Sequence, residues 1–262
     1  MCYYYQSLKY VSTDDTTQIF DVMFKNEPFD MASLMLCIVN SRYLFEEVIE
    51  KLKIKYLYED CSIPEECKDG ILPDNFYAYI ISARYENRLT QDEFELAYKD
   101  FNFLDYFLHT LSAWPEKDDF SLTEILPNCW KHIKTKHNND NLQKFAELML
   151  HSADDVVNPT ETLLDLYIDI TTSCSKKNWF YIKIEKVLKF FDVNSVKAFQ
   201  FTKNFFLFDD FIHLDELVLL LQKYKDVGIS NYRDDVYPFL NQLVTDGKIT
   251  AAQREDLAKI VV

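Results

Sequence analysis

Glycine is scarce in this chain, with three in 262 residues against about 7% in ordinary proteins. Only glycine reaches positive φ without steric cost, so phosphate-cradling loops and tight β-hairpin turns lean on it. The shortage argues against a Rossmann domain, a P-loop and a β-sandwich, and for an all-α chain. Long apolar runs are also missing. The longest near-apolar stretch, "MASLMLCIV" from Met31 to Val39, is about half a membrane span. The N-terminal "MCYYYQSLKY" lacks the apolar core of a signal peptide. Cysteines are few and scattered, at 2, 37, 61, 67, 129 and 174, and none forms a C-x2-C pair. That spacing argues against a structural zinc site. The expectation is free thiols in a reducing, intracellular, cytoplasmic setting, with no membrane association.

Catalytic signatures are absent as well. The histidines are His109, His132, His137, His151 and His213, and none belongs to H-E-x-x-H or Glu-x-x-His. No G-x-S-x-G seats a nucleophilic serine. Nothing marks one cysteine over the others for Cys–His catalysis. Acid pairs recur at Asp14–Asp15, Asp118–Asp119, Asp154–Asp155, Asp209–Asp210 and Asp234–Asp235. Several fall where helices are predicted to start, where carboxylates cap free N–H groups. No catalytic residue, metal or cofactor is expected.

Aromatics and acids are plentiful. There are 21 Phe and 17 Tyr, and 43 Asp and Glu against 28 Lys and Arg, a net charge of −15. The sequence pI is near 4.7. A global acid surplus disfavours a dedicated nucleic-acid binder and suits a basic partner.

The chain reads as about a dozen helices joined by short links. Predicted helices start at Asp14 or Asp15, at Pro28, and at Ser41, the last running through Tyr58. The segment Glu59–Asp74, with two prolines and a glycine, reads as a loop or sub-boundary within one 1–262 domain. "TQDE" at Thr90–Glu93 is a capping box, and its helix is predicted to run to Trp114. Further helices are expected over Asp118–Leu126, Pro127–His137 and Asn141–Ser152. "NPTE" at Asn158–Glu161 predicts Asn158 as the cap of the next helix, ending near Ser173. Asn178–Phe191, Ser195–Phe206 and Leu214–Asp226 follow. Leu214, Leu217, Val218 and Leu221 are the expected core stripe of the last, widened by Leu219 and Leu220 so that it can be buried on two sides, and Gly228 is its end. A helix from Ser230 is expected to kink at Pro238, and "TAAQ" at Thr250–Gln253 caps the final one. No repeat period is evident, so irregular HEAT-like helical hairpins, an α-solenoid, are the predicted architecture.

Two basic islands interrupt the acidic chain. "WKHIKTKH" brings Lys131, Lys134 and Lys136 beside Trp130. From Lys176 to Lys203 seven lysines face only Glu185 and Asp192. Lys183, Lys186 and Lys189 are three apart, near one helix face. These six lysines, at 131, 134, 136, 183, 186 and 189, are the candidate contacts for RNA or an acidic partner. The alternative is a solvated helix back whose lysine stems cover Trp179 and Phe180.

The segment "KAFQFTKNFFLFDDFIHLDELVLLLQKYKDVGISNYRDDVYPFLNQLV" resembles the helical domain preceding the catalytic domain of Nibbler-like (Mut-type) 3′–5′ exoribonucleases. Ala198, Leu207, Leu219–Leu220–Leu221–Gln222 with Lys223, Tyr232 and Pro238 carry the resemblance. It implies a HEAT-like, non-catalytic piece of an RNA-silencing exonuclease that docks a partner protein and assists RNA capture. The family's catalytic acids lie in a separate domain that this chain does not match. Another protein is thus the expected partner, RNA the second, and no small-molecule cofactor is called for. A different reading is an acidic inhibitor or immunity-type protein covering a basic site.

Overall fold

A computed structural model describes residues 31–40, 44, 46–59, 63, 67, 71–114, 120–136, 139–155, 158–174, 184–208, 212–228 and 234–261. The chain is all-α and divides into two compact units, Met1–Phe120 and Ser121–Val262. The segment 59–74 lies inside the first unit. The helix predicted from Asp14 and the start at Pro28 lie outside the described residues.

The first unit contains α1 (Met31–Asn40), α2 (Glu46–Leu52), α3 (Ile71–Tyr85), α4 (Gln91–Leu96) and α5 (Phe101–His109). Helix α2 continues as a π turn over Lys53–Tyr58, closed by the Glu59 N–H donating to the Ile54 carbonyl at 2.9 Å. The helix expected from Ser41 to Tyr58 therefore changes pitch at its end. Helix α3 begins at Ile71, inside the segment expected to be loop, because Pro73 sits in its first turn, where no amide donor is needed.

The long helix expected from Thr90 to Trp114 is broken at Asp100. That residue is extended (ψ 112°), and its carboxylate accepts from the Asn102 and Phe103 amides, starting α5 anew. A 3₁₀ turn at Ala97–Lys99 bridges the break, and another at Leu111–Ala113 ends the run. The core is aromatic. Phe94 meets Tyr98, Phe103 and Phe107 edge-on at 5.4–5.7 Å between ring centroids.

The second unit contains α6 (Leu122–Lys136), α7 (Asn139–Asp155), α8 (Glu161–Ser173), α9 (Ile184–Leu188), α10 (Ser195–Phe208), α11 (Leu214–Asp226), α12 (Val236–Thr245) and α13 (Ala251–Val261). Helix α6 runs straight through Pro127, where a new helix was expected. The proline forfeits one amide bond. Leu122, Ile125 and Leu126 before it and Cys129, Trp130 and Ile133 after it form one buried stripe that holds the helix together. Thr160, not Asn158, caps α8, with its hydroxyl accepting from the Leu163 amide. Pro238 is the third residue of α12, within the first turn, so it removes no helical hydrogen bond and breaks nothing. The buried stripe of α11 is Leu217, Leu220, Leu221 and Tyr224, while Leu214 and Leu219 face solvent. Asp154–Asp155 end α7.

Besides contacts between immediate neighbours, helices in each unit lie against their second neighbours in the chain. In the first unit α1 packs on α3 and α3 on α5, while the α2 π turn packs on α4. In the second, α6, α8, α10 and α12 form one such row and α7, α9, α11 and α13 another. Tyr167, Phe190 and Phe201 fill the second core, with Tyr167 and Phe201 stacked at 5.5 Å.

One corner occurs in both units. Asn87 (φ 58°) and Gly247 (φ 71°) are left-handed residues two positions past a helix. The Arg88 amide returns to the Ala83 carbonyl at 2.7 Å, and the Lys248 amide to Leu243 at 2.9 Å. A buried Leu89 or Ile249 follows, then a threonine that opens a capping box. In the first box the Thr90 hydroxyl accepts from the Glu93 amide and the Glu93 carboxylate from the Thr90 amide, as expected. Thr90→Ala should lower stability by about 1 kcal/mol. Chemical denaturation would read this as a lower midpoint at unchanged slope.

Candidate functional site

The row that places α6 beside α8 leaves a groove of about 460 Å³ between them. Pro127, Trp130, Lys131, Lys134 and Thr135 line it from α6, and Thr162, Asp165, Leu166 and Asp169 from α8. The lining on α6 follows from helical spacing: 127, 131 and 134 share a face beside the buried stripe that holds Trp130. On α8, 162, 165, 166 and 169 do the same.

Ion pairs fasten this surface. Lys134 lies 2.9 Å from the Asp169 carboxylate, which also accepts the Trp130 indole N–H at 2.8 Å and the Ser173 hydroxyl at 3.1 Å. Burial works to raise the Asp169 carboxyl. The Lys134 ammonium, the Trp130 indole and the Ser173 hydroxyl outweigh it and hold the carboxyl below its usual range. Across the next interface Lys197 of α10 lies 2.7 Å from Asp165 and 2.8 Å from Glu161 of α8. Those carboxylates, Asp165 first, raise the Lys197 ammonium. Helix α8 is thus tied to both row neighbours by lysine–aspartate contacts.

The candidate lysines whose side chains are described lie on α6 and in the turn after α9. Lys134 is engaged by Asp169 and sits 6.0 Å from the Trp130 ring. Lys131 and Lys136 are exposed, with no ion pair among the described residues, and only Lys131 lines the groove. Lys189 lies in the 3₁₀ turn after α9, its ammonium 5.8 Å from the Phe190 ring. Lys186 is on α9, and Lys183 lies outside the described residues. Acids from another helix meet two lysines of the islands, Asp169 meeting Lys134 and Asp165 and Glu161 meeting Lys197.

Asp165, Leu166 and Asp169 were missed as site residues in the sequence. Their i, i+4 acid spacing was visible in "LDLYID", but nothing linear says that this face meets "WKHIK". Cys174 lies just beyond α8. Burial first, and then the Asp169 and Glu147 carboxylates, push its thiol up to about 11, so it is a poor nucleophile at neutral pH. Among the described residues no three His, Cys, Asp or Glu side chains gather as a metal site would require. No helix among them is long and apolar enough to cross a membrane.

Charge divides unevenly between the units. Residues 1–120 carry 11 Lys and Arg against 23 Asp and Glu, a net −12. Residues 121–262 carry 17 against 20, a net −3.

Fold and groove define an all-α protein with an interhelical groove of mixed charge among its described residues. Comparison with family models, with curated proteins and with solved structures finds no match for this chain.

Proposed function

We propose that this chain is a non-catalytic interaction module, a HEAT-like array that docks a partner protein in the α6–α8 groove. The observation that carries this reading is the groove itself. It has an apolar floor in Pro127 and Leu166, and ion-paired walls that need no ligand to be satisfied. Of its charged lining residues, Lys131 alone has no ion pair among the described residues. Such a surface suits a peptide segment that brings apolar contacts and one carboxylate. Second-neighbour packing in both units supports the array, since stacked helical hairpins place alternate helices side by side.

The test uses the whole chain as bait at moderate salt. A photo-crosslinking residue at position 131 should trap the same protein that the unmodified chain retains, and one at Lys259 should not. Thr162→Arg, which fills the groove from an exposed position, should weaken retention at least about tenfold. Retention unaffected by Thr162→Arg would sink the reading. Association with RNA processing rests on the C-terminal resemblance alone. For it, charge reversal of Lys183, Lys186 and Lys189 should abolish RNA retention by the purified chain.

One observation favours the second reading, an acidic inhibitor that masks a basic site: the net −12 of residues 1–120. In that case binding falls steeply between low and high salt.

A further inference from the structure

We propose that the Lys53–Tyr58 π turn and helix α4 form a second docking face, one that takes a basic amphipathic helix of a partner protein. The proposal rests on the reading of the chain as an interaction module, but on a different unit and different residues from the α6–α8 groove.

Three large apolar side chains are exposed on these two packed elements. Ile54 is 43% exposed, Tyr58 59% and Leu96 38%. Tyr58 is joined to α4 by its hydroxyl, which donates to Glu93 at 3.0 Å, and Leu96 lies one turn beyond Glu93. The Lys99 ammonium, at the end of the same run, donates to the Leu57 carbonyl at 3.2 Å. The apolar side chains are therefore presented on a braced surface. The π turn contributes directly. With more than four residues per turn, its i, i+4 spacing puts Ile54 and Tyr58 near one face, and both are exposed while Tyr56 and Leu57 stay buried. Isolated π turns of this kind recur at functional positions.

Carboxylates continue both apolar stripes. Helical spacing places Glu47 and Glu50 on the stripe that ends in Ile54 and Tyr58. Asp92 lies one turn before Leu96. The local cations leave a deficit. Lys53 is shared between Glu50 at 2.9 Å and Glu93 at 3.3 Å, so one ammonium serves two acids. Glu47 and Asp92 have no cation among the described residues. The surrounding unit carries a net −12. An apolar strip running into unpaired carboxylates matches a helix with Leu or Phe at i and i+4 and Lys or Arg beside them. An acidic helix or a nucleic acid would meet like charge.

The experiment compares three fluorescent 18-residue peptides for binding to the full chain by anisotropy at near-physiological salt. One is a Leu/Lys amphipathic helix, one replaces every Leu with Ser, and one replaces every Lys with Glu. The Leu/Lys peptide should bind at least about tenfold tighter than the Ser/Lys peptide, and the Leu/Glu peptide should not bind. Tyr58→Ala with Leu96→Ala should raise the Leu/Lys Kd at least about tenfold. Because both residues are exposed, far-UV circular dichroism should be unchanged. Asp92→Lys, at an exposed position, gives a second route to the same loss. Hydrogen exchange should show protection of amides 53–58 on binding. Thr162→Arg should leave this Kd unaltered, so failure of the groove and failure of this face are told apart. Equal binding of the Leu/Lys and Ser/Lys peptides would reduce the effect to bulk attraction and overturn the proposal. So would no binding, or a double variant whose Kd stays within twofold.

Discussion

Asp100→Ala is expected to destabilise the protein by about 3–5 kcal/mol, the sum of a lost helix cap and two stranded phenols. One oxygen of this carboxylate accepts from the Asn102 and Phe103 amides at the start of α5. The other accepts from the Tyr56 hydroxyl at 2.7 Å and the Tyr77 hydroxyl at 3.2 Å. Both tyrosines are 2% exposed, so water cannot readily take over. Thermal unfolding followed by circular dichroism should show a fall on the order of 10 °C. Asp100→Asn, which keeps one acceptor oxygen, should lose markedly less. A loss below about 1 kcal/mol for alanine would mean that the phenols find other partners.

The same cluster sets an alkaline limit. Burial first, then the Asp100 carboxylate, raises both phenols above the ordinary tyrosine value of 10. A group harder to ionise when folded contributes stability that is fully present below the unfolded pKa. That stability is lost as pH rises above it. Unfolding midpoints should therefore decline once pH passes about 10, and Tyr56→Phe should flatten the decline.

Phe94→Ala is the second large effect, at about 3–5 kcal/mol. Phe94 is fully buried and touches three other rings edge-on. Edge-on rings cannot slide to refill the space, because Phe103 and Phe107 are fixed on α5 and Tyr98 on the adjoining 3₁₀ turn. Phe94→Leu should cost roughly half as much, since most of the volume remains. Equal losses for the two substitutions, by urea titration, would show that ring geometry rather than volume carries the site.

Helical character was legible wherever a local rule sufficed. The Thr90–Glu93 and Thr250–Gln253 boxes form as read, because both partners lie within one turn. Leu214–Asp226 was bounded correctly, with Gly228 in the left-handed conformation just past its end. Local rules misled where a distant partner intervened. Pro127 looked like a start because nothing linear shows how much apolar surface α6 buries on both sides of it. The stretch from Thr90 to Trp114 looked continuous because the role of Asp100 depends on Tyr56 and Tyr77, 44 and 23 residues away. The α11 stripe was misphased by including Leu214, whose surroundings are set by other elements.

The candidate site was less legible. Lys131 and Lys134 were visible as part of a basic island, and the structure brings both to one groove. Sequence alone determined that the chain is all-α, acid-rich and aromatic-cored, since composition, caps and 3.6-residue periodicity are properties of short windows. Tertiary structure alone decided which charges survive. It set Asp169 against Lys134 and Asp165 against Lys197, leaving Lys131 without an ion pair among the described residues. It also left Ile54, Tyr58 and Leu96 exposed on the more acidic of the two units. The reason is physical: charge and apolar exposure depend on what lies within a few ångströms, and here those neighbours come from other helices.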